Sequence, residues 1–247
     1  MKKVIVFLSI FIVSAGMLFA ANPFDKFTGE LQGQIESIAT ARLNALAKDL
    51  GVLLGSGGSH NARALGFPGL DIGISANFVP TSSENVLVKD AGVDQLLFPT
   101  AQLEIGLPKN FDLVGRFFTY ANSTFIGYGL RYGIFKSKLP ISPALSVSAI
   151  YNTLNVNYDN NKFSATILSV DASASISLPV ITPYISLGYT TTEITPDASI
   201  TSSKGTDNAT RIEGGINLSL LPLTYLKLGA AMVNGITGYN AGLGIRF

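Results

Sequence analysis

The segment Gly238–Phe247, GYNAGLGIRF, alternates apolar with small or polar residues along its whole length. Tyr239, Ala241, Leu243, Ile245 and Phe247 share one face of an extended chain, and Asn240, Gly242, Gly244 and Arg246 share the other. A period of two predicts a strand with one face in an apolar surrounding. What that surrounding is depends on the rest of the chain. Reading backwards from this segment, the pattern recurs in YLKLGAAMV, TRIEGGINLSL, YISLGYTTTEI, FSATILSVDASASISL, ALSVSAIYNT, IGYGLRYGI, FDLVGRFFTYA, TAQLEIGL and LDIGISANFV. The phase of the longest slips at Ile167-Leu168, which predicts a β-bulge there. The count is about ten strands.

Composition narrows the surrounding. Apolar residues make up 47% of the 247 and charged residues 13%, about half the usual charged share of ~25%. A secreted β-sandwich also alternates, but its outer faces carry many Lys, Glu and Arg. Here the second face is Gly, Ser and Thr. No stretch after residue 21 approaches the ~18 consecutive apolar residues of a transmembrane helix. The remaining way to satisfy every backbone group inside a bilayer is a closed barrel. The expected fold is therefore all-β, a transmembrane antiparallel up-and-down barrel of about ten strands.

The connections agree with a barrel. Links after even-numbered strands are short and mostly hold proline (Pro108, Pro140, Pro179, Pro183, Pro222), and those after odd-numbered strands include PTSSENVLVKDAGVDQLLF, LNVNYDNNK and TPDASITSSKGTDNA. Short turns belong to the periplasmic rim and long loops to the outside. NSTF and NGIT are short links on the outer side. Phe78, Phe98, Phe163 and Tyr239 are expected in an outer aromatic girdle, and Phe111 and Phe247 in an inner one.

The final strand resembles the C-terminal assembly signal of bacterial outer-membrane β-barrel proteins, which alternates and ends in phenylalanine. The resemblance implies that this strand is read by the barrel assembly machinery and pairs with strand one. It assigns Tyr239, Ala241, Leu243, Ile245 and Phe247 to the signal and to the lipid-facing phase. It also implies an outer-membrane location with membrane lipid as a partner. A weaker likeness, of layout alone, is to long-chain fatty-acid transporter-type barrels, which have an N-terminal plug and more strands.

The opening MKKVIVFLSIFIVSAGMLFAANPF reads as a secretory signal peptide over residues 1–20, cut after Ala20. An uncleaved anchor is the competing reading, and the apolar run is short for that role. Losing Lys2 and Lys3 with the leader turns the formal charge of +1 (17 basic, 16 acidic) into −1 (15 and 16). That balance gives no reason to expect a nucleic-acid partner. Residues 21–66 form a separate N-terminal segment, and 67–247 the barrel. In the former, Phe27, Leu31, Ile35, Ile38, Leu46 and Leu50 recur at helical spacing. An amphipathic helix is expected over Pro23–Leu54, lying at the periplasmic mouth or inserted as a plug. Insertion is favoured by slim Ala39, Ala41, Ala45 and Ala47 and by space at inward Gly127, Gly129, Gly133, Ser173, Ser175, Gly242 and Gly244. It is opposed by the narrow interior of so few strands. GSGGSHN after it reads as a flexible linker, with His60 solvated.

The inward phase holds Asp71, Glu104, Asp112, Asp171 and Glu213 with Arg116, Arg131, Arg211, Lys227 and Arg246. Five charges of each sign suit a neutralised interior network, since an unpaired buried charge is costly. A selective pore more often carries an excess of one sign. Absence of cysteine excludes disulfides, thiolate metal sites and cysteine nucleophiles. His60 is the single histidine, in the linker rather than on a strand, so triad chemistry is not expected. No enzyme activity, cofactor or metal is expected. The functional expectation is a narrow passive pore or transporter for small solutes, its periplasmic mouth restricted by the helix. A hydrophobic ligand is a variant suggested by inward Val114, Phe118, Tyr120 and Ile150. The alternative is a closed structural or surface-display barrel whose loops Pro80–Leu97 and Thr195–Ala209 meet external partners.

Overall fold

The computed structural model describes residues 30–58, 60–120, 122–137, 141–158 and 161–247; the expected signal peptide lies outside them. Helix α1 (Glu36–Gly55) precedes ten strands: β1 (Leu70–Pro80), β2 (Gln95–Gly106), β3 (Phe111–Tyr120), β4 (Ser123–Lys136), β5 (Ser142–Tyr158), β6 (Asn161–Ser177), β7 (Ile181–Pro196), β8 (Gly205–Leu218), β9 (Thr224–Val233) and β10 (Ile236–Arg246). A one-turn helix α2 (Val86–Lys89) sits between β1 and β2. Each strand pairs antiparallel with its sequence neighbours, and β10 closes the barrel on β1, from Asp71 opposite Arg246 to Phe78 opposite Tyr239. Closure leaves no strand edge unpaired, which is what a bilayer demands.

The outward phase is apolar around the whole barrel: Ile72, Leu103, Leu130, Val147, Val170, Leu187, Ile212, Leu228 and Leu243 are exposed. So large an apolar belt is untenable in water and natural in lipid. Among the described residues no helix is long and apolar enough to cross a membrane. One rim carries tight turns, such as Pro108–Asn110 and 219–223; the other carries the longer loops 81–94 and 197–204. By loop length the first rim is periplasmic and the second external.

Several expectations are corrected. Residues Leu154–Tyr158 continue β5, and Gln95–Leu97 and Gly205–Ala209 are strand, so the external loops are shorter than the sequence suggested. There is no bulge at Ile167-Leu168, where β6 keeps unbroken register with β5 and β7. The irregularity lies in β4, between Gly133 and Phe135. Along β6 Phe163, Ala165, Ile167, Ser169, Asp171, Ser173 and Ser175 all face inward and are buried. The apparent slip is a change in the chemistry of the lumen from apolar to polar. Likewise Phe98 and Phe163 are buried inside instead of forming a girdle. Phe78 and Tyr239 do face outward, as do Phe111 and Phe247.

The N-terminal helix occupies the lumen; it does not lie at the periplasmic mouth. Its first turns meet the external loops: Ser203 Oγ donates to Glu36 O at 3.4 Å, and Thr206 N to Asn44 Oδ1 at 2.7 Å. Its last turns reach mid-barrel. A helix of 20 residues spans about 30 Å at 1.5 Å per residue. The buried face is Ala39, Leu43, Leu46, Ala47 and Leu50, and every residue from Leu50 to Gly55 is buried; Ile35 is 66% exposed and Ile38 40%. Space is made by glycine. A Cβ at Gly205 of β8 would lie 2.4 Å from Leu43 O, and one at Gly51 would lie 2.8 Å from Thr192 Oγ1. After the helix, residues 56–66 descend to the periplasmic rim, where a Cβ at Gly106 would strike Gly66 O at 2.2 Å.

A plugged lumen as the candidate functional site

The lumen has two chemistries, stacked. In the external half Phe98, Phe125, Phe163, Ile167, Ile194 and Val233 surround Leu43, Leu46, Leu50 and Leu54 of α1. Phe98 packs edge-on against both Phe118 and Phe125, with ring centroids 5.1 Å apart in each pair. The periplasmic half is lined by charged, Ser, Thr and Asn side chains. Arg116 marks the boundary, its guanidinium carbon 5.4 Å from the Phe125 ring centroid.

All ten charged residues singled out from the sequence face this lumen, in two groups. The first surrounds the C-terminal end of α1. The last carbonyls of a helix lack internal partners and carry the negative end of its dipole. The last turn of α1 has no basic residue of its own; the barrel wall supplies them. Arg116 Nη1 donates to Leu54 O at 2.9 Å and Nη2 to Ser56 O at 3.3 Å. Arg211 donates to Gly55 O, and Lys227 Nζ to Gly57 O at 2.6 Å. Asp171 neutralises Arg211 at 2.5 Å, and Glu213 accepts the Gly57 N–H at 3.1 Å.

The second group lies nearer the periplasm. Arg131 Nη2 bridges Glu104 at 2.6 Å and Asp112 at 2.8 Å, and Nη1 donates to Asn61 O at 3.1 Å. Asp112 also accepts the Leu65 N–H at 3.1 Å. Arg246 binds Asp71 at 2.7 Å, and the Tyr225 hydroxyl donates to the other Asp71 oxygen at 2.8 Å. Thus four wall cations and two wall carboxylates hold the backbone of the plug itself. The sequence placed these charges in the lumen, but not what they grip.

His60 corrects the reading of the linker. It is 2% exposed and stacks on Tyr225 with centroids 5.0 Å apart. Its Nε2 lies 3.2 Å from Asp71 Oδ2 and 2.8 Å from Arg246 Nη2. Gly55–Gly58, His60 and Asn61 are buried in the lumen, so these small residues thread a crowded interior and are not a solvated hinge. Asn61, Gln102, Asn152, Tyr225 and Asn240 complete the polar contacts. Only the inward phase of the four strand residues could have flagged them, and nothing flags Asn61. Of the residues suggesting a hydrophobic ligand, Val114 and Ile150 are buried inward, Phe118 packs on the core and Tyr120 is exposed. The expected spacious inward glycines mostly accommodate wall side chains; Gly133 faces the plug, at Ala64. A small cavity between His60, Tyr225, Lys227 and Ser75 has room for about one water molecule. Among the described residues no group of His, Asp and Glu is arranged to hold a metal ion.

Several solved structures are similar to this chain. The attachment invasion locus protein Ail of Yersinia pestis, in complex with the heparin analogue sucrose octasulfate, is 12% identical, with 73% of this chain and all of that chain covered and a TM-score of 0.38. Neisserial surface protein A is 13% identical over 72% of this chain and 95% of its own, with a TM-score of 0.35. The translocator domain of the autotransporter NalP from Neisseria meningitidis is 12% identical over 74% and 89%, with a TM-score of 0.37. No curated protein matches. One family model matches residues 86–247, from α2 to the closing strand. The closed strand set and its apolar belt make the chain a membrane-spanning β-barrel, and it belongs to the family of unknown function DUF6588.

Proposed function

We propose that this protein is a sealed outer-membrane barrel that holds a rigid platform of loops at the cell surface. The observation that carries the reading is the filling of the lumen by α1 and residues 56–66. Six large apolar side chains of the helix are buried, Leu43, Leu46, Leu50, Val52, Leu53 and Leu54. At ~1.5–3 kcal/mol each, moving them into water costs on the order of 10 kcal/mol. Each 1.4 kcal/mol is tenfold, so spontaneous withdrawal would occupy roughly one molecule in 10⁷. A plug held so firmly acts as a core and not as a resting gate.

The same helix braces the external loops. Asn85 donates to Asp49 at 2.7 Å, the Ser82 N–H donates to it at 3.1 Å, and Lys48 reaches Glu84 at 3.3 Å. In loop 197–204 hydrogen bonds from the Ser199 N–H and hydroxyl hold the Asp197 carboxyl below the usual range. Single-channel recording of the full chain in planar lipid tests the reading; no steady openings are expected. Steady openings at rest would favour the second reading, a narrow solute pore, which the Ser/Thr/Asn lining of the periplasmic half supports. The buried His60–Asp71 pair is given a structural role, since Arg246 and Tyr225 of the barrel wall hold it. The outward face of Tyr239, Ala241, Leu243, Ile245 and Phe247 is proposed as the strand read by the assembly machinery. Its position as the closing strand supports this, and slower barrel formation after deletion of Phe247 tests it.

A further inference from the structure

We infer that the plug crosses the barrel from outside to inside, so that its N-terminal turn, Gln32–Ile35, stands at the cell surface. The sequence leaves the helix either at the periplasmic mouth or inserted as a plug, with no direction for its crossing. The path of the backbone sets that direction. β1 begins at the periplasmic rim, where Leu70 and Phe247 exchange backbone hydrogen bonds at 3.2 and 2.8 Å. Residues 66 to 56 lead from that rim up into the lumen, past Asp112, Arg131 and Glu213. Helix α1 continues upward and ends among external loops. Asp49 meets Ser82 and Asn85 of loop 81–94, Asn44 meets Thr206, and Glu36 meets Ser203 beside loop 197–204.

Beyond the helix start the chain turns through Gln32–Ile35, with Gly33 at φ 74°, and all four residues are exposed. Leu31 then tucks back into the apolar core that includes Ile200, and Arg42 pairs with Glu30. Two features make the arrangement permanent once formed. The upper turns of α1 are buried in the apolar core through Leu43, Leu46, Leu50 and Leu54. The carbonyls at the inner end of the helix are held by Arg116, Arg211 and Lys227. The barrel therefore displays the turn Gln32–Ile35 next to the two longer loops. The inference rests on the lumen being occupied by the plug. It does not rest on the barrel's being electrically silent.

The absence of cysteine from the whole chain permits a clean test. Single variants Gln34→Cys, Ser83→Cys and Leu221→Cys place one thiol at the plug's outer turn, in loop 81–94 and in a periplasmic turn. All three positions are exposed. Intact cells are treated with a membrane-impermeant maleimide, and only barrels showing the heat-dependent gel shift of the folded state are scored. Labelling of Gln34→Cys and Ser83→Cys to within about twofold of each other, with Leu221→Cys labelled at least tenfold more after permeabilisation, is the expected result. Gln34→Cys reached only after permeabilisation, while Ser83→Cys is reached in intact cells, would overturn the inference. Labelling of Leu221→Cys alone in intact cells would overturn it too, by inverting the barrel. Neither result depends on conductance, so the sealed-platform reading stands or falls separately.

Discussion

At the scale of single residues, the charges of the lumen work as units. Arg131 serves two carboxylates and a plug carbonyl at once. Arg131→Met would leave Glu104 and Asp112 facing each other without a counter-charge, which costs about 3–5 kcal/mol for a buried pair broken on one side. The expected reading is a marked fall in the temperature at which the folded gel band converts to the unfolded one. Neutralising the group together, as Glu104→Gln, Asp112→Asn and Arg131→Met, should bring that temperature back towards wild type, because no buried charge is stranded. A triple variant as unstable as the single one would show that the network's worth is not electrostatic. Glycines give a second contrast. In Gly205→Ala the new methyl meets the carbonyl of Leu43, a backbone atom that cannot swing aside, whereas at Gly214 the nearest atom would be Tyr184 O at 3.6 Å. Overpacking should cost the first variant about 1–3 kcal/mol and leave the second near neutral; equal midpoints for the two would refute the tight seating of α1 on β8.

At the scale of elements, the ten strands were legible because lipid on one side and a small-residue lumen on the other enforce a period of two. GYNAGLGIRF, IGYGLRYGI and LDIGISANFV are read correctly for that reason. Legibility failed where the lumen itself is apolar. There Phe163, Ala165 and Ile167 face inward while outward Ser164 and Thr166 are polar, so hydrophobicity swaps faces although the geometry does not. The same cause hid the role of Phe98. The helix was visible, and Leu31, Leu46 and Leu50 of its expected face are buried; Ile35 and Ile38 fit the apolar spacing yet point away from the core, and the fully buried Leu43 falls outside the expected set. Alanines and glycines carry much of the packing, and their small hydrophobicity weakens any amphipathic pattern. This difference is measurable. Leu43→Ala empties a fully buried site and should cost about 2–5 kcal/mol, while Ile38→Ala should stay within about 0.5 kcal/mol. A thermal midpoint more sensitive to Ile38 than to Leu43 would mean that the helix is rotated from the orientation described.

At the scale of the whole molecule, plug and barrel form a single folding unit with one shared core. Barrels of eight strands fill their interiors with their own side chains; two more strands leave space that this chain fills with a helix. The lumen wall is matched to that helix twice, by apolar rings around its upper turns and by cations at its lower end. Deleting residues 21–58 tests the match as a whole. The truncated barrel would keep its strand pairing and its lipid belt, but Phe98, Phe125, Phe163, Ile167 and Ile194 would face water, and Arg116, Arg211 and Lys227 would lose the carbonyls they hold. Two changes are expected together: a folded-band midpoint far below that of the full chain, and steady single-channel current where the full chain passes none. Current without loss of stability would mark the plug as a removable stopper. Loss of stability without current would mean the wall collapses inward when its core is taken away. The joint outcome follows from the distribution of chemistry in the lumen: the polar half admits water once vacated, and the apolar half is what made leaving costly.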